Sequence, residues 1–143
     1  SESVQPEGYC YNKEPFKIFG NANGSTCLIA YGRLFDACYA ALDELTNTSL
    51  IKLNCIKPID REAVLAAAGA RDIYFFEESI RTGSVGETFG SMLLECGSES
   101  KYHHISIDNE FVKQASVSSQ IQHYHLDTQS IISEVQNGQE DKA

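Results

Sequence analysis

The chain has 143 residues, the length of one domain and enough to bury a sizeable core; its hydrophobic fraction of 42% is far from that of a disordered chain. The formal net charge of −9 argues against a nucleic-acid binder, which must neutralise phosphates with Lys and Arg, and against docking on an anionic membrane. No apolar run reaches the roughly 18 residues of a membrane span, so the expectation is an acidic, cytoplasmic globular domain.

Residues 1–15 are polar and irregular, with Pro6, Gly8 and Pro15, and read as a linker or the cut end of a longer protein. Phe16 to Phe19 alternates like a short strand, and Asn21 to Gly24 is a turn. Thr26 to Tyr31 is a continuous apolar run, typical of a strand buried on both faces, and Gly32 ends it. Leu34, Ala37, Cys38, Ala41, Leu42 and Leu45 follow at helical spacing, with Asn47 as the stop. Ser49 to Cys55 reads as a further strand. Asp60 is a good N-cap for a helix running to about Ala68, with Ile59 and Val64 placed for a hydrophobic staple. Asp72 to Glu77 is the next strand, Phe89, Met92, Leu93 and Cys96 mark one face of the next helix, and His103 to Ile107 is another strand. Two shorter helices follow: one near Ser116 carrying Val117, Ile121 and Tyr124, and one capped by Asp127 carrying Ile131, Ile132 and Val135. Residues 138–143 read as a frayed tail, which leaves 16–137 as the domain. Strands alternating with helices imply a largely parallel sheet covered on both faces.

The glycine-rich stretch between strand and helix, Gly83-Ser84-Val85-Gly86, raises the question of a phosphate site. Its spacing fits neither the dinucleotide fingerprint nor the P-loop, and Glu77-Glu78 would repel a phosphate with Arg81 as the compensating charge. Ser84 and Glu87 fit a capping box that would use the same backbone donors. The structural reading therefore outweighs anion binding, with Gly86 and Gly90 letting the helix approach the sheet. His103-His104 in a strand point one ring in and one out, and His123 and His125 face different ways on a helix. Arg33 after Gly32 would place one cation at a strand end. Of the five cysteines, Cys27 and Cys38 sit in apolar patterns and read as small core hydrophobes in a reducing compartment. No catalytic, cofactor-binding or metal-binding set assembles by spacing.

The strand Leu28 to Gly32 (LIAYG), Lys57-Pro58-Ile59-Asp60 (KPID) and the run IYFFEESIRTGSVGETFGSMLLE up to Glu95 resemble the C-terminal domain of transketolase-like, thiamine-diphosphate-dependent enzymes. The tail from Asp108 to Val135 is similar to the 1-deoxy-D-xylulose-5-phosphate synthase pattern, with Ala115 where the synthase usually has Gly, and with Gly83-Ser84-Val85-Gly86 where it often has Gly-Gly-x-Gly. The resemblance implies a three-layer α/β/α sandwich with a mixed five-stranded sheet of order 1-3-2-4-5 and strand 1 antiparallel. In that order the strands at 26–31 and 72–77 would be neighbours with crossovers to opposite sides, a switch point or interface at which Gly32, Arg33, Glu77, Glu78, Arg81, Gly83, Ser84 and Gly86 are singled out. It also implies a largely architectural domain of a transferase that packs on the enzyme's other domains and helps the dimer. In that family thiamine diphosphate and Mg²⁺ are held by the first domain through a Gly-Asp-Gly motif, and the activating glutamate belongs to the second. Neither motif is present here, so the chain alone is expected to be inactive and to hold no cofactor. Two other readings stand beside this one: a free-standing doubly wound domain binding a small anion, and a subunit of a split transketolase or a 2-oxo acid dehydrogenase.

Overall fold

A computed structural model of the chain describes residues 14–32, 34–78, 84–107 and 128–137. The elements in order are β1 (Phe16–Gly20), β2 (Thr26–Ala30), α1 (Leu34–Ala41), β3 (Thr48–Leu53), α2 (Arg61–Ala68), β4 (Asp72–Glu78), α3 (Ser84–Glu95) and β5 (Lys101–Ile107). A further helix, α4, spans 128–137. The helix expected near Ser116, the N-terminal linker up to residue 13 and the tail after 137 lie outside the described residues.

The five strands form one sheet in the order β1-β3-β2-β4-β5. β1 runs antiparallel to β3, and the other pairings are parallel. This is the mixed sheet that the resemblance implied. All residues of β2 and of β4 are buried, as the continuous apolar runs required of central strands covered on both faces.

Alternation along the strands divides the core in two. Cys27, Ile29, Ile51, Ile73 and Phe75 pack against Ala63, Val64 and Ala67 of α2 and Val85, Phe89 and Leu93 of α3. Leu28, Ala30, Leu50, Tyr74 and Phe76 pack against Leu34, Ala37, Cys38 and Ala41 of α1 and Ile131, Ile132 and Val135 of α4. The result is three layers, with α2 and α3 on one side of the sheet and α1 and α4 on the other.

Local chemistry explains most element ends. Asp60 Oδ1 accepts from the Glu62 N–H at 2.7 Å, the expected N-cap of α2. Ile59 and Val64 are both buried in the same cluster beside that cap. Asn47 takes a left-handed backbone (φ 54°), and its side chain donates to Ser25 Oγ at 2.9 Å, which ties the turn before β3 to the start of β2. The helix that Leu42 and Leu45 were expected to extend ends sooner: α1 stops at Ala41, a 3₁₀ turn covers Leu42–Glu44, and Leu45 is extended. β5 begins two residues before the expected His103, because Lys101 and Tyr102 pair with Asp72 and Ile73 of β4. Cys27 and Cys38 are buried free thiols, as their apolar patterns implied, whereas Cys55 is disulfide-bonded, which departs from the reducing compartment expected from the cysteines.

Candidate functional site

β2 and β4 are neighbours, yet β2 leads into α1 on one face and β4 into α3 on the other. Their C-terminal ends therefore form a topological switch point, the place where open α/β sheets leave a crevice. What fills it follows from the sequence of β4. Alternation puts Ile73, Phe75 and Glu77 on the α3 face, so the apolar run delivers a carboxylate into the same layer as two core hydrophobes.

Glu77 is 1% exposed, and a buried carboxylate is stable only when its oxygens are partnered. Tyr31, the residue after β2, donates its hydroxyl to Glu77 Oε2 at 2.7 Å. On Oε1, His104 Nε2 of β5 lies at 2.7 Å and the Gly86 N–H donates at 3.3 Å. Gly86 is the third residue of α3, so its N–H is one of the donors that a helix start leaves without an intrahelical acceptor. A negative charge is also favoured there by the helix dipole. The carboxylate thus joins β2, β4, β5 and the first turn of α3.

The glycines of α3 make the approach possible. A Cβ on Gly86 would lie 2.2 Å from His104 Nε2, and one on Gly90 would lie 2.9 Å from Tyr102 Cε2. Tyr102 donates its hydroxyl to the Gly86 carbonyl at 2.5 Å. Burial, then the Glu77 charge, push the Tyr102 hydroxyl far above its ordinary titration range, so the phenol stays protonated and remains a donor. On the opposite face His103 stacks on Tyr74 with ring centroids 4.3 Å apart, and its Nε2 lies 3.5 Å from Asp72 Oδ1. The two histidines thus take opposite faces, as alternation requires.

Glu77 and Gly86 meet directly, and Gly32 follows β2 with a left-handed backbone (φ 66°). Glu78 is buried next to Glu77. Ser84 is the first residue of α3, and its side chain, with Arg33, Arg81 and Gly83, lies outside the described residues. Glu77, read from sequence as a charge that would repel a phosphate, has its own carboxylate at the α3 N-terminal turn. Sequence reading missed Tyr31 and Tyr102 as partners. The parity of Ile73, Phe75 and Glu77 was the signal that pointed Glu77 inward.

A separate cleft of about 470 Å³ opens between the turn at Ile56–Ile59 and α3, lined mainly by Ile56, Pro58, Ile59, Val85 and Met92, with Lys57 contributing its charge. Among the described residues its polar lining is limited to Lys57 and Thr88, short of the convergent polar groups of a small-molecule site. Among the described residues, no three His, Cys, Asp or Glu side chains are placed to hold a metal ion.

Comparison with known proteins agrees with this architecture. Residues 21–131 match the family described as "Transketolase, C-terminal domain". The 1-deoxy-D-xylulose-5-phosphate synthase of Syntrophomonas wolfei subsp. wolfei is 26% identical over 113 residues, covering 76% of this chain and 18% of the relative. The synthases of Chromohalobacter salexigens and Brevibacillus brevis are each 28% identical, over 109 and 120 residues, covering 76% and 77% of this chain and 16% and 18% of the relative. The chain thus spans less than a fifth of the length of these curated relatives. A solved structure named "Split gene transketolase, inactive beta4 tetramer" shares the fold with a TM-score of 0.67 and 17% identity, covering 92% of this chain and 46% of that one. With the family matched over residues 21–131 and the 1-3-2-4-5 sheet in place, the chain belongs to the transketolase C-terminal domain family.

Proposed function

We propose that this domain is the C-terminal, largely architectural part of a 1-deoxy-D-xylulose-5-phosphate synthase, a cytoplasmic transferase that joins pyruvate to glyceraldehyde 3-phosphate at the head of an isoprenoid precursor pathway. The observation that carries this reading is the set of curated relatives: three synthases, each matched over 16–18% of its length. In this reading the domain packs on the other two domains of the enzyme and supports the dimer. Thiamine diphosphate and Mg²⁺ belong to the other domains.

The described residues do not fit the cofactor. The sequence contains no Gly-Asp-Gly. At the switch point the α3 N–H of Gly86 faces the buried Glu77 carboxylate, which would repel a diphosphate. No catalytic step is therefore routed through this chain.

The test is a chimera. A Syntrophomonas wolfei synthase cut before its C-terminal domain is assayed alone and joined to this chain, with pyruvate, glyceraldehyde 3-phosphate, thiamine diphosphate and Mg²⁺. The proposal expects product from the chimera and none from the truncated enzyme. A folded chimera no more active than the truncated enzyme would contradict it. The likeness to a split-gene transketolase favours a second reading, in which the domain sits in a separate subunit. Co-purification with an unlinked thiamine-binding subunit would select that reading.

A further inference from the structure

The Glu77 carboxylate has no part in the function proposed above, yet it is the most deeply buried acidic group described, with a side-chain exposure of 0%. It sits beside the place where open α/β sheets receive ligand anions: at the C-terminal end of β4, at a switch point, against the first turn of a 12-residue helix. Its partners come from three elements or their edges: Tyr31 after β2, His104 on β5 and the Gly86 N–H on α3.

We propose that Glu77 is a built-in occupant of an anion site: the carboxylate takes the position an external anion would hold, and so keeps the switch point closed while fixing α3 to the sheet. Three features support this. Tyr31 and Gly86 are hydrogen donors aimed at one carboxylate, and a His nitrogen completes the set. Gly86 is the residue type the site requires, because any side chain there would strike His104. Tyr102 closes the arrangement from behind by holding the Gly86 carbonyl. The inference stands on this geometry alone and holds whichever enzyme the domain serves. Glu77 is here a positioning residue that acts through α3.

The group removed by Glu77→Ala is CH₂–COO⁻, so acetate is the matching probe. The 143-residue chain is melted with sodium acetate, with sodium phosphate and with sodium chloride at equal ionic strength. Wild type is expected to gain no more from acetate or phosphate than from chloride. Glu77→Ala, with donors left facing a void, is expected to melt roughly 5–15 °C lower and to recover with acetate in a saturable way that chloride does not reproduce. Glu77→Gln fills the space and is expected to show no acetate response. Should Glu77→Ala fold only when acetate is present, the proposal is supported, with the recovery read from refolding. Saturable stabilisation of wild type by phosphate would overturn it, since the site would then be open. So would a Glu77→Ala protein that acetate does not restore, or an acetate response in Glu77→Gln.

Discussion

Gly86 and Gly90 lie one turn apart on the same face of α3, and replacing them by alanine separates two effects. Alanine in a helix interior gains about 1 kcal/mol over glycine. At Gly90 the new Cβ would lie 2.9 Å from Tyr102 Cε2, and shifting a ring whose hydroxyl is held on the Gly86 carbonyl offsets the helix gain. Gly90→Ala should therefore be near neutral. At Gly86 the Cβ would lie 2.2 Å from His104 Nε2, and His104 is fixed by Glu77 at 2.7 Å with its ring edge-on to Phe75. Overpacking of this kind costs about 1–3 kcal/mol, and displacing His104 also weakens the Glu77 contacts, so Gly86→Ala should be net destabilising. Urea denaturation of both variants checks the order. A second prediction concerns Cys27, whose thiol burial pushes up from 9.0 to about 12 despite a hydrogen bond with Ser49. An unfolded chain ionises this thiol first, so the stability tied to the neutral thiol is complete below pH 9 and is lost as pH rises toward 12. Melting temperature should fall more steeply above pH 9 in wild type than in Cys27→Ala. At this scale the sequence carried half the information. The parity of Phe75 and Glu77 was available to point the carboxylate inward and was not used, and its partners lie 46 and 27 residues away, a distance at which no local pattern reports contact.

Among the elements, α2 and α4 give the cleanest separation of local from tertiary stabilisation. α2 is started by one side chain: Asp60 accepting from Glu62 N–H. Asp60→Ala should cost about 0.5–2 kcal/mol, and Asp60→Asn much less, measured by chemical denaturation. α4 is held by packing, with Ile131 and Val135 fully buried against the face opposite α2. Ile131→Ala should cost about 2–5 kcal/mol by the same measurement. Element type was legible where a strong period ran for several residues, as in β2, β4 and the apolar face of α3. Ends were less legible. β5 starts at Lys101 because Asp72 and Ile73 of β4 offer it partners, and Ser98 and Ser100 give the preceding turn no apolar pattern that would announce a strand. α1 ends early because the chain tightens to a 3₁₀ turn before the left-handed Asn47.

At the scale of the molecule, the fold joins a sequence rich in acid to a sheet whose central strands are buried on both sides, with the most deeply buried carboxylate among the described residues used to bind the molecule to itself. The order 1-3-2-4-5 was legible through resemblance and not through periodicity. Periodicity gives the elements in chain order but not which strands become neighbours, and the antiparallel β1 lies beside β3 only through the pairs Phe16–Leu53 to Gly20–Ser49. The role assigned to the domain, support of an enzyme whose thiamine diphosphate and Mg²⁺ sit elsewhere, makes one demand that can be checked on the chain alone. Calorimetric titration of the 143-residue chain with thiamine diphosphate and Mg²⁺ is the most direct measurement. The account predicts heats of dilution only, and saturable binding in the micromolar range would contradict it.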